Sequence, residues 1–179
     1  NGYIGKSVPR KRIATDDEIR RLLARAALPP KKKSKNYIGA MPDIIACGLV
    51  SSRRLGEICG LRRSLCDWEH KDDDGLPAPM YTVEGMKHPT KKNHTKTFPI
   101  FPELAEILKR QPIVPGKEDY FFPFRKQSVG AKYTKLKKDE GIVDLRFHDN
   151  RRDAITEWLK VMTPHQVRNF ISGHDSVKM

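Results

Sequence analysis

The stretch RFHDNRRDAITEWLK, residues 146–160, constrains the fold more than any other segment. Wound as a helix at about 100° per residue, it gathers Ile155, Trp158, Leu159 and Met162 into one apolar stripe, with Arg151 close to the stripe's centre. A guanidinium stays charged at neutral pH, and removing it from water is costly unless it is paired. Any fold for this chain must bring Arg151 either an interior carboxylate or an anionic ligand.

The segment SSRRLGEICGL poses the same problem. Helical spacing puts Leu55, Ile58, Cys59 and Leu61 on one face, with Arg54 roughly 65° from its centre and Arg53 roughly 165° away. Arg54 is expected to edge inward and Arg53 to face water. Glu57, three residues on, is a candidate ion-pair partner for Arg54. Two inward arginines from distant segments also suit one shared phosphate, because guanidinium forks match phosphate oxygens in pairs. His148 lies three residues before Arg151 and shares its helical face. Beside an arginine its cationic form is disfavoured, which suits a proton acceptor or a neutral donor to phosphate; the plain alternative is a capping or core histidine.

The charge balance agrees with an anionic partner. Lysine and arginine number 35 against 22 acidic residues, a net charge of +13, and the pI is near 9.8. Such a surplus favours nucleic acid over an anionic membrane surface, although lysines also serve as plain solubilising charge. Cys47, Cys59 and Cys66 are odd in number and lack C-x-x-C spacing, so no disulfide framework or zinc site is expected and a reducing cytoplasm fits. No apolar run approaches the ~20 residues that span a bilayer. At 179 residues the chain suits one domain. It opens at Asn1 without an initiator methionine and closes at Met179 without a helix-ending signal, so it reads as a piece of a longer protein.

Along the chain, residues 1–12 read as a basic linker and 13–179 as the domain. Thr15 and Glu18 form a capping box before a helix carrying Ile19, Leu22, Leu23 and Ala26. KKKSK at 31–35 is a basic loop, either solvated or touching phosphate. Tyr37 to Val50 reads as a buried helix, and Ser51 or Ser52 as the cap of a helix from Arg54 to Leu61. Strand-like runs follow around Leu65 to Trp68, Tyr81 to Val83 and Thr95 to Ile100. Helices resume over Pro102 to Arg110, Gln127 to Glu140, His148 to Val161, and from Thr163 (N-cap) and Pro164 (N1) through Ile171, with Gly173 closing the last. The fold class is α+β, mainly helical, with a small three-stranded antiparallel sheet.

Four boxes then resemble the catalytic domain of the tyrosine recombinases, or phage-type integrases. Arg54-Leu-Gly-Glu57 after an apolar helix is like the family's arginine box, His148-Asp-Asn-Arg151 is like its H-x-x-R box, and Gly173-His174 follows one helix later. In TKKNHTKTFPIFPEL, Lys91 stands eight residues before Pro99, as the family's lysine stands before the proline of its "VPL" strand. The likeness runs from about Thr15 to Met179. Two departures are SSRR where T-G-x-R is common, which leaves Arg53 as a rival to Arg54, and Asn150 in place of a leucine. The family's nucleophilic tyrosine follows the G-H histidine by about nine residues, a place that would lie beyond Met179; Tyr3, Tyr37, Tyr81, Tyr120 and Tyr133 stand in other contexts.

The resemblance implies site-specific recombination of double-stranded DNA by transesterification through a 3′-phosphotyrosyl link, without metal or cofactor. It implies Arg54 and Arg151 on the non-bridging oxygens, Lys91 as general acid, and His148 and His174 as further proton-handling or phosphate-binding groups. Lys92, Lys96, Lys31, Lys32 and Lys33 would grip the duplex backbone. It further implies an N-terminal DNA-binding domain ahead of the linker, a homotetramer on DNA for the full-length protein with this piece monomeric, and a bacterial or phage-encoded protein at the nucleoid. Alternatives are an inactive DNA-binding module of the same fold, a type IB topoisomerase and a basic RNA-binding protein.

Overall fold

The computed structural model describes residues 12–29, 39–86 and 94–173. Helix α1 (Asp16–Ala27) starts where the capping box requires. The Glu18 amide donates to Thr15 Oγ1 at 3.2 Å and the Thr15 amide to Glu18 Oε2 at 2.9 Å. Helix α2 (Met41–Ser51) is apolar on most of its circumference because it lies in the middle of the molecule, packed by α1, by α3 (Leu55–Cys59), by α4 (Pro102–Lys109) and by α6 (Phe147–Trp158). Met41, Ile44, Ile45 and Cys47 are buried there. Gly48 permits the close approach of α6, since a Cβ at that position would sit 3.2 Å from Cζ of Phe147.

Strands β1 (Cys66–Asp67), β2 (Met80–Met86) and β3 (His94–Pro99) make one antiparallel sheet in chain order. Tyr81 pairs with Phe98 and Thr82 with Thr97, so alternate residues Tyr81, Val83 and Phe98 turn a single apolar face to the helices. Helix α5 (Lys126–Asp139) buries Val129, Tyr133 and Leu136, at helical spacing, against the same core. The chain finishes in a short α7 (Pro164–Gln166), capped by Thr163 as its sequence implies, and a wider π-helical turn over Val167–Ser172.

Two expectations need correction. The apolar stripe foreseen on α6 is not its buried face. Phe147, Asn150, Arg151 and Ala154 are buried instead, and Leu159 is 40% exposed, because α6 ends at Trp158 and the last residues of the stripe fall outside the helix. The helix foreseen from Arg54 to Leu61 is shorter, Leu55–Cys59, with Arg54 at its N-cap.

Candidate active site

Helix α6 delivers Arg151 into the interior, where the residue is 4% exposed. Its Nη1 donates to the carbonyl of Ser52 at 2.5 Å and its Nη2 to the carbonyl of Ser172 at 2.7 Å. One guanidinium therefore joins the end of the arginine box to the end of the π-helical turn, segments more than a hundred residues apart in the chain. Trp158 keeps α6 in register for this, its indole nitrogen donating to Val50 O at 2.9 Å and its ring lying 4.6 Å from that of Phe101. Burial first, then the neighbouring charges of Arg53 and Arg54, lower the Arg151 pKa to about 10, so the group is still cationic at neutral pH.

Arg54 stands at the mouth of this arrangement with its side chain 30% exposed. Its Nη1 is 2.6 Å from Glu57 Oε1, and its own amide donates to Glu57 Oε2 at 2.9 Å. Glu57, whose side chain is 8% exposed, thus caps α3 and orients the arginine with one carboxylate. Among the described residues nothing but Glu57 accepts a hydrogen bond from the Arg54 side chain, which leaves its other nitrogens for a ligand.

His148 lies at the first turn of α6, at the surface beside both arginines. Desolvation, followed by the positive charges of Arg151 and Arg54, holds its pKa below the usual histidine value and so favours the uncharged ring. A neutral imidazole next to two guanidinium groups can accept a proton or donate one hydrogen bond to an anion.

Arg53 is a correction. Helical spacing set it facing water, yet it is 1% exposed and among the largest wholly buried side chains. Helix α2 ends at Ser51, whose hydroxyl turns back to the carbonyl of Cys47 at 2.5 Å, and Ser52 takes a left-handed conformation at φ 57°. The reversal at Ser52 takes Arg53 out of any helix, so wheel geometry does not govern its direction. Of the two neighbouring arginines, Arg54 is the more open to a surface ligand, its side chain being 30% exposed.

Lys91, Lys92, Lys31, Lys32, Lys33 and His174 lie outside the described residues. Lys96, on β3, is half-buried and alternates onto the face of Phe98. Gly173 adopts φ 67°, closing the π-helical turn as a left-handed cap immediately before His174. Sequence reasoning missed the carbonyl anchors Ser52 and Ser172 altogether; main-chain acceptors leave no residue-type signal.

No protein-family model matches the chain. Among solved structures it is similar to the Tn1549 transposon integrase in complex with circular intermediate DNA (TM-score 0.64, 15% identity, 97% of this chain and 61% of that one). It is similar too to a lambda integrase tetramer bound to a Holliday junction (TM-score 0.65, 16% identity, 97% and 50%) and to XerA recombinase (TM-score 0.60, 19% identity, 95% and 58%). By fold, the chain belongs with the tyrosine recombinases. Two curated relatives from Haemophilus influenzae, both provisionally described as integrase/recombinase, agree with this recombinase fold. They are 30% identical over 174 residues, covering 93% of this chain and 42% of the relative, and 26% identical over 174 residues, covering 97% and 52%. The chain spans about half the length of these curated relatives.

Proposed function

We propose that this chain is the catalytic domain of a site-specific DNA recombinase which cuts and rejoins strands by transesterification. The observation that carries the proposal is the Arg151 guanidinium bonded at once to Ser52 O and Ser172 O, with Arg54 and His148 electrostatically coupled to it. The arginine box, the H-x-x-R box and the approach to the G-H box then border one cationic locus, which is the requirement for one scissile phosphate.

In this reading the oxygen of a tyrosine attacks phosphorus, the bond from phosphorus to the 5′-oxygen breaks, and a 3′-phosphotyrosyl ester and a free 5′-hydroxyl result. Arg54 and Arg151 neutralise the charge that builds on the non-bridging oxygens, a contribution that usually dominates such catalysis. His148 accepts the tyrosine proton, Lys91 gives one to the departing 5′-oxygen, and His174 adds a donor to the phosphate. Glu57 orients Arg54 and takes no part in bond making. Cationic side chains carry the electrostatic load that Mg²⁺ carries in many phosphoryl-transfer enzymes.

The nucleophile is expected beyond Met179. Among the described tyrosines, Tyr81 and Tyr133 are each 2% exposed. Burial pushes the Tyr81 phenol up to about 12 and the Tyr133 phenol higher still. Tyr120 lies under Arg62, with the guanidinium 5.5 Å from its ring centroid. Double-stranded DNA is the proposed partner, by the neighbours' DNA complexes and the net charge of +13. We assign the tetrameric assembly, the preceding DNA-binding domain and the nucleoid location to the full-length protein on the same footing. Among the described residues no helix is long and apolar enough to cross a membrane.

The test is a nicked suicide substrate bearing the protein's site, incubated with the full-length protein in EDTA. A covalent protein–DNA adduct is expected, and Arg54→Ala should abolish it. An adduct undiminished in that variant would reject the assignment, and duplex binding without any adduct would leave a DNA-binding module in its place.

A further inference from the structure

Arg53 is the one arginine of the boxes that no part of the proposed chemistry uses, and its surroundings are unusual. Its guanidinium carbon lies 3.7 Å from the centroid of the Phe98 ring. Its Nε donates to Ser51 O at 3.0 Å and its Nη2 to Ile171 O, while Nη1 is buried with no hydrogen-bond partner among the described residues. No carboxylate among the described residues forms an ion pair with it. Carbonyls and an aromatic face offset part of the desolvation of a cation, but one guanidinium nitrogen is left without a partner among the described residues, which costs stability. Packing alone therefore does not explain why an arginine stands there.

What it touches does. Arg53 and Arg151 hold consecutive carbonyls, those of Ile171 and Ser172, at the end of a π-helical turn where main-chain acceptors run out of partners. Phe98, under the Arg53 guanidinium, is also what Gly173 packs against: a Cβ on Gly173 would stand 2.8 Å from Phe98 Cζ. Phe98 belongs to β3, the strand entered from the segment that carries Lys91. One buried side chain thus contacts the end of α2, strand β3 and the π-helical turn that leads to Gly173.

Resting on the recombinase reading above, we propose that Arg53 is a positioning residue, not a phosphate ligand, which locks the turn ending at Gly173 against strand β3. Its charge never meets DNA. Its two main-chain bonds and its stack on Phe98 hold the end of α2, the π-helical turn and strand β3 in one arrangement.

The test uses Arg53→Met, which keeps the volume and removes the bonds, and Arg53→Lys, which keeps the charge but lacks the planar fork. In the chain itself, amide hydrogen exchange should quicken at least ~10-fold for the end of the π-helical turn and for the Gly173 amide, which donates to Arg168 O at 2.9 Å. Protection in the body of α2 should stay unchanged, and the melting temperature should fall only modestly, as two lost main-chain bonds imply. In the full-length protein the same variants should lower the adduct rate at least ~10-fold with duplex affinity within about threefold, and Arg53→Lys should recover part of the loss. Unchanged exchange at Gly173, or an unchanged adduct rate, would overturn the proposal. A lower melting temperature with exchange quickened evenly through the core would reduce Arg53 to a structural residue. If Arg53→Met does not fold, Arg53→Lys carries both readouts. Absence of an adduct from the unsubstituted full-length protein would count against the recombinase reading, whereas the exchange measurement still decides the positioning role.

Discussion

Gly173→Ala is a sharp probe of how the turn before His174 is held. Gly173 has φ 67°, where an L residue other than glycine is disfavoured by about 1–2 kcal/mol. The added methyl would also stand 2.8 Å from Phe98 Cζ and 3.1 Å from Phe98 Cε1. Phe98 cannot yield freely, being wholly buried with Arg53 over its ring and Tyr81 5.6 Å away. Forcing a methyl into such a place typically costs a further 1–3 kcal/mol or so, giving a total of about 2–5 kcal/mol for Gly173→Ala. Urea denaturation followed by tryptophan fluorescence measures it. The ring's share is separable, because in a Phe98→Leu background the ring edge is gone and Gly173→Ala should cost less, the backbone contribution of about 1–2 kcal/mol and the contact with Met86 Cε at 3.2 Å remaining. A cost below about 0.5 kcal/mol in the parent, or an equal cost in both backgrounds, would refute the contact on which this packing argument rests.

Arg54→Ala should lower the midpoint of urea unfolding, because it takes the cation from the largely buried Glu57 carboxylate, and should lower the adduct rate of the full-length protein by about 10²-fold or more; in Arg54→Lys, which keeps a cation, the midpoint should recover more than the rate. His148 should titrate below the usual histidine value by NMR, and Arg54→Met should move its pKa upward by removing one of the cations that lower it. Because the folded pKa is depressed, the unfolded chain binds the proton first as pH falls. This contribution is therefore nil well above the ordinary histidine value of about 6.5 and destabilises the fold progressively as pH drops through that value toward the folded pKa. Unfolding midpoints compared between the parent and His148→Gln across that window check the sign.

Much of the fold could be read from local pattern. The Thr15–Glu18 capping box, the apolar α2, the alternating β3 and the Thr163-Pro164 helix start each obey a rule confined to a few residues. What could not be read involves backbone at the joins. Ser52 takes φ 57° although nothing in SSRR demands it, and that single residue reversed the expected exposure of Arg53. Arg151 was legible as an inward charge, but its partners are the carbonyls of Ser52 and Ser172, groups that every residue possesses and that tertiary packing alone selects. The π-helical widening over Val167–Ser172 is equally silent, since VRNFIS has ordinary helical composition. Arg54 was expected to edge inward and is partly buried, although as the N-cap of a short helix and not as a residue within one.

Neutralisation of charge on the scissile phosphate by Arg54, beside Arg151, is the step on which the proposed function turns. It is tested most directly with two suicide substrates for the full-length protein, identical except that one carries a neutral methylphosphonate at the scissile position. The account predicts that Arg54→Ala slows adduct formation by about 10²-fold or more on the phosphate and far less on the methylphosphonate, where no anionic oxygen pair awaits the guanidinium. An equal loss on both substrates would contradict it, and would mean that Arg54 acts on the protein and not on the phosphate.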